Sequence, residues 1–325
     1  GMIGVYLTTT GDVNILPSNL SSGLVSAADS FKTTQNGGDW SFEKLNFQLT
    51  PETVTIGRPA TVTATRNGAP LTAHGAIKVY GSALDFVEGV TNVSGRGAVL
   101  LKSSSNLKLA ASKTYQTNGS DLVVWSGSAG GNGHIEVGNS VCINTNASCD
   151  PAVATATGNI YIGGGAAGTD FPTGPAVGTA ANGISFGSST SGIRVLSGGG
   201  DISVKGQSSL NGISAFQGIT FRATTGAIEL HGTSSSTAHQ ALRFAGSTGD
   251  SLISSGKTSG TAIRLIGTRI TNSSQSGVAF EDDDATISST GGGDIVIETS
   301  DATAGLNSRN LLRRVTATTA NGGKI

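Results

Sequence analysis

The stretch "SGGGDISVKGQ" at 197–207 sets three glycines and an aspartate directly before an alternating run, and "TGGGDIVIETS" at 290–300 repeats it closely. Ile202 and Val204 flank Ser203 in the first, and Ile295 and Ile297 flank Val296 in the second. Period-two alternation sends each flanking pair to one side of a β-strand. The same phrase, a glycine, a small or polar residue and two aliphatics separated by one position, also reads as "GDVNI" (11–15), "GAIKV" (75–79), "GAVLL" (97–101), "GHIEV" (133–137), "GNIYI" (158–162) and "GAIEL" (226–230).

The starting glycines are 64, 22, 36, 25, 42, 26 and 67 residues apart, so several intervals fall at 22 to 26 and three lie near two or three times that length. A second phrase fills some gaps, as "GISF" (183–186), "GIRV" (192–195), "GITF" (218–221), "AIRL" (262–265) and "GVAF" (277–280). Strands this short cannot each bury a core, but stacked at about 4.8 Å per coil they can. The pattern predicts an all-β, three-faced parallel β-helix over 1–325, with about a dozen rungs and a length of roughly 60 Å. Glycine would serve the corners, where the chain needs positive φ or close backbone approach. Residues 1–70 are less regular, and "RNGAP" (66–70) reads either as a rung corner or as the turn of a small antiparallel hairpin. Residues 163–183, with three successive glycines and two prolines, are expected to leave the rod as a surface loop.

Composition agrees with strands and turns rather than helices: Gly contributes 49 residues, aromatics 5% and charged residues 13%, with one methionine, Met2. A net charge of −1 from 20 basic and 21 acidic residues offers no field for nucleic acid or anionic membrane. No run approaches the ~20 apolar residues of a membrane helix. Gly1 ahead of Met2 reads as a scar of tag removal, and the chain as a piece excised from a larger protein.

The series "GAIKVYGSAL" (75–84), "GRGAVLLKSSSNLKL" (95–109), "TNGSDLVVWSGSAGGNGHIEVGNSV" (117–141) and "TGNIYIGGG" (157–165) resembles the repeat region of filamentous-haemagglutinin-like exoproteins. These are large surface adhesins that Gram-negative bacteria export by two-partner secretion. The similarity runs from about residue 55 to 165 and more loosely to about 300. It implies a right-handed parallel β-helix working in attachment outside the cell or on the outer-membrane surface. The family's export domain carries motifs of the "NPNG" type, of which "NILPSNLSSG" (14–23) is only a superficial echo, so the piece is placed in the repeat shaft. No binding residue carries over.

Candidates for chemistry are few. The only cysteines, Cys142 and Cys149 in "CINTNASC", read as a disulfide closing a small loop in preference to two separate thiols, and so point to an oxidising compartment. "EDDDAT" (281–286) is the one dense acidic cluster: Asp282, Asp283 and Asp284, with Glu281, are the candidate calcium ligands, against the simpler reading of a solvated acidic turn. Asp201 and Asp294 read as turn residues bonding their own backbone. His74, His134, His231 and His239 lack metal-ligand spacing and read as solvent-facing. Trp40 and Trp125 could stack on a sugar or pack in the core.

These observations predict a non-catalytic stalk or adhesion segment contacting a glycan or protein of a host or bacterial surface, without cofactor unless calcium binds at the acidic cluster. Open solenoid ends also predict end-to-end self-association. The alternative is a polysaccharide lyase or glycoside hydrolase on the same scaffold, which would gather carboxylates, or a basic residue with calcium, on adjoining coils.

Overall fold

Val54, Ile77, Val99, Leu122, Ile160, Ile202, Ile228, Ile263 and Ile295 stand in register one above the next, each in a strand parallel to its neighbours. Two residues on in each strand, a second column runs from Ile56 through Val79, Leu101, Val124, Ile162, Val204, Leu230 and Leu265 to Ile297. These paired columns line one face of a three-faced parallel β-helix. The computed structural model describes residues 52–57, 70–150, 156–166, 171–188, 192–216, 218–245, 250–271, 275–281, 284–300 and 310–325, with the backbone of Asp301 and of the strands Val5–Leu7, Val13–Ile15, Trp40–Ser41, Leu45–Phe47 and Thr65–Asn67.

The first face stacks ten strands, from Val13–Ile15 through Ile77–Gly81 and Ile202–Ser208 to Asp294–Asp301. The second also stacks ten, from Trp40–Ser41 through Ile135–Val137 and Ile184–Phe186 to Leu311–Leu312, and the third stacks nine, from Leu71–Ala73 through Cys142–Asn144 to Val315–Thr319. All these pairings are parallel, and no helix occurs among the described residues. Ten coils at about 4.8 Å give a stack roughly 45 Å long, shorter than the dozen rungs expected.

The shortfall has a definite cause. The 42 residues separating Gly158 and Gly200 make one enlarged coil rather than two, since Ile160 pairs directly with Ile202. The phrase "GHIEV" lies on the second face, whereas the corresponding coil's first-face strand is Leu122–Ser126, which has Asp121 where the phrase has a small residue and no glycine before it. On either side of "RNGAP", Thr65–Asn67 pairs parallel within the second face and Leu71–Ala73 within the third, so that sequence is a rung corner.

Inward positions from all three faces merge into a single buried column. Aromatic residues continue it between coils: Phe244 stacks on Phe280 at 4.4 Å, and Phe186 meets Phe221 edge-on at 5.4 Å. Each fully buried aliphatic contributes roughly 1.5–3 kcal/mol, and a parallel ladder spreads that gain evenly along the axis.

Corners are held by short side chains. Where the first face ends, Ser103 donates to the carbonyl of Asn106, Ser126 to that of Gly133 and Ser234 to that of Leu210. Where the third face ends, Ser255 donates to Gly226 O at 2.7 Å and Ser289 to Gly293 O at 2.6 Å. Each hydroxyl satisfies a buried backbone acceptor as the chain turns. The starting glycines serve mainly close approach: a Cβ on Gly226 would lie 2.0 Å from the carbonyl oxygen of Gly200 in the preceding coil. Asp201 acts differently from the turn residue expected. Its Oδ1 accepts the N–H of Ala227 one coil on, and its own N–H bonds Oδ1 of Asn159 one coil back. Asn159 in turn donates its N–H to Asp121, and Asp294 accepts from the N–H of Lys324. These side chains tie one coil to the next.

The stretch 163–183 lies partly within the stack. Gly163 and Gly164 complete Ile160–Gly164, and Ala176–Gly178 returns to the first face beside Gly206–Ser208.

Candidate functional site

Because inward positions are committed to the core, any binding surface must come from the outward column of each face. On the first face that column becomes charged over its last four coils. Lys205 Nζ lies 3.6 Å from Glu229, Arg264 lies 3.9 Å from Glu229 on one side, and its Nη2 is 2.6 Å from Glu298 on the other. Alternating signs on successive coils are the favourable cross-strand arrangement, worth little individually at this exposure. His231 sits within this ladder, its Nε2 2.9 Å from Thr268 Oγ1, over a shallow cavity of about 420 Å³ that Thr299 and Ser300 also line. Burial lowers the His231 pKa below the ordinary histidine value; Glu229 opposes that shift and Lys205 adds to it.

On the second face the outward column reads Asp85, Lys108, Glu136, Ser185, Ser214 and Arg243 in successive coils. Lys108 and Glu136 pair at 3.3 Å. Arg243 pairs with Glu281 at 3.0 Å. Between these pairs the side chains shrink to two serines, and a trough opens. It comprises a cavity of about 360 Å³ lined by His134, Glu136, Asn182, Ser185, Ser214 and Phe216, and one of about 300 Å³ lined by Asn106, Asn132, His134 and residues 177 and 179–181. His134 and Ala181 belong to both, so the two form one depression running across several coils. The wall on one side is Ala176–Gly178 and the residues after it, held by the antiparallel bridge between Val177 and Gly133.

On the third face, Cys142 and Cys149 are joined by a disulfide with Cα atoms 6.1 Å apart. The loop it closes is fastened by Asn144 Nδ2 to the carbonyl of Ser148 at 2.7 Å and by Arg194 Nη1 to the carbonyl of Cys149 at 3.0 Å.

The residues singled out in the sequence are dispersed over this surface. Glu281 accepts from Arg243 and Gln240, and Asp284 is ion-paired with Arg314, while Asp282 and Asp283 lie outside the described residues. No group of three metal-ligating side chains gathers among the described residues. All four histidines are half-buried, and they fall at separate places. Trp125 points outward beside Lys102 and Gly163, yet it is fully buried. Its indole N–H donates to Gly165 O at 2.9 Å, and Lys102 Nζ stands 3.7 Å above its ring, so no ring face is open to a sugar. Phe171, beyond this cover, stacks on Tyr161 at 4.8 Å. The side chain of Trp40 lies outside the described residues. Of the trough, sequence reasoning named only His134, as a filler of the variable slot in "GHIEV".

No family model matches this chain, and neither a curated protein nor a solved structure matches it.

Proposed function

We propose that the chain is a non-catalytic segment of a large bacterial surface exoprotein, similar to filamentous-haemagglutinin-like adhesins exported by two-partner secretion. It works as a stiff spacer and contact surface outside the cell or on the outer membrane. The observation that carries this reading is the unbroken register of inward aliphatic columns, which leaves the chain's chemical variety to outward side chains and corner loops. Many weak polar contacts along such a surface add up through multivalency. The disulfide between Cys142 and Cys149 supports an oxidising location.

The last coil supports end-to-end self-association. Its strands expose open edges, Leu312 and Ile325 are 45% and 69% exposed, and the N–H of Ile295 already donates to Lys324 O as if to a further coil. The alternative, a polysaccharide lyase or glycoside hydrolase, needs free carboxylates as acid and base. Here Glu229, Glu281 and Glu298 face guanidinium groups, which favours the non-catalytic reading. Beads coated with the chain are expected to adhere to bacterial or host cells, and the protein to leave uronic-acid polymers and neutral polysaccharides uncut. Release of unsaturated uronides or of new reducing ends would transfer the assignment to the enzyme.

A further inference from the structure

We infer that the trough on the second face is a binding site for an extended, uncharged glycan, of the β-1,4-linked hexose or N-acetylhexosamine type. This deepens the adhesion reading and rests on it for biological purpose, though the site itself is argued from geometry.

The floor comes from the outward column at Ser185 and Ser214, where two small hydroxyls succeed the long side chains of Lys108 and Glu136. The depression follows the rod axis, so a ligand in it crosses strands at about 4.8 Å intervals. That spacing is close to the length of one sugar residue in an extended chain, and each coil can present its groups to one residue.

The available groups suit hydroxyls and amides. The His134 ring, the Asn132 amide and the Ser214 hydroxyl make no hydrogen bond to other described residues, although all three line the trough. Asn106 uses its Oδ1 on the N–H of His134, which leaves its amide N–H groups for a ligand. Such neutral donors and acceptors match the mixed donor and acceptor character of sugar hydroxyls. Phe216, half-buried at the rim, offers an apolar ring against the C–H face of a pyranose. Sign of charge sets the class: Glu136 lines the trough and its partner Lys108 does not, so a carboxylated sugar would meet a carboxylate.

The supporting framework is rigid. Asn182 donates to Ser185 Oγ at 3.0 Å and accepts from Asn211 of the following coil, while Gln240 N–H bonds Asn211 Oδ1 at 3.0 Å. This amide ladder holds the trough's edge in place before any ligand arrives, the condition for binding without an ordering cost.

The test is calorimetric titration of the full chain with chitotetraose, cellotetraose and tetragalacturonate. At least one neutral tetramer is expected to give a saturable isotherm and the acidic one none. Ser185→Trp, which fills the floor from an outward position, and His134→Ala should each weaken the neutral tetramer at least tenfold, with circular dichroism and melting unchanged. Absence of binding by both neutral tetramers, preference for tetragalacturonate, or unchanged affinity in a folded Ser185→Trp protein would overturn the inference. Bead adherence separates the two proposals: adherence that survives Ser185→Trp, with no glycan bound, removes the trough and leaves the adhesin. A bound tetramer without adherence does the reverse.

Discussion

Replacing Gly232 by alanine tests the packing of the corner between the first and second faces. Gly232 occupies an inward position in Ile228–Ser234, in register with Gly206 and Gly267. A Cβ there would lie 2.0 Å from the carbonyl oxygen of Ala241, 2.5 Å from its carbon and 2.9 Å from the nitrogen of Leu242. All three are backbone atoms, and that oxygen already accepts the N–H of Ile213 at 3.0 Å. Restoring ordinary contact requires Ala241 to retreat by about 1 Å, which stretches this bond past useful length. Overpacking costs about 1–3 kcal/mol, and a buried donor left without its acceptor costs about 1–3 kcal/mol more. Gly232→Ala should therefore lose about 2–5 kcal/mol in urea unfolding followed by circular dichroism. Gly131→Ala is the matched control, because an added Cβ there meets nothing within 4 Å. Its stability should change by less than about 0.5 kcal/mol. A Gly232→Ala protein within about 1 kcal/mol of its parent would refute the reasoning that backbone proximity dictates this glycine.

Three further outcomes are expected. Replacing Cys142 and Cys149 together by alanine should cost about 2.5 kcal/mol from the small loop they close, read as a lower melting temperature that dithiothreitol no longer shifts. Ser255→Ala strands the carbonyl of Gly226 and the N–H of Lys257, both bonded to this hydroxyl; a loss of about 1–3 kcal/mol is expected in urea titration. His231, with its folded pKa held below about 6.5, takes up protons less readily folded than unfolded. Stability should fall as pH drops from about 6.5 toward that lowered value, and His231→Gln should flatten this slope in melts at successive pH values.

The inward columns were legible because Ile202 and Val204, or Ile228 and Leu230, stand two apart behind a glycine, and parallel stacking requires only that spacing. The first-face strand Leu122–Ser126 escaped the pattern because its apolar residues run on without alternation: Trp125 and Val123 point outward and are buried by chain that folds over them. The roles of Asp121 and Asp201 were hidden for a related reason, since their hydrogen-bond partners lie one coil away, 38 and 26 residues along the chain. The trough was hidden altogether. Asn106 and Phe216 are 110 residues apart in sequence, and the step from Glu136 to Ser185 becomes visible only once register is known. One local sign was available: a serine recurs shortly after the aliphatic pair, at 103, 126, 208 and 234, and marks where the first face turns.

The enlarged coil between Ile160 and Ile202 keeps the pairing of its shorter neighbours although it spends many more residues outside the ladder. Growth of the chain at a corner thus leaves the rungs above and below undisturbed. A scaffold with this property can acquire, exchange or discard surface appendages without renegotiating its foundation, so variation in what the molecule grips is mechanically uncoupled from how firmly it stands.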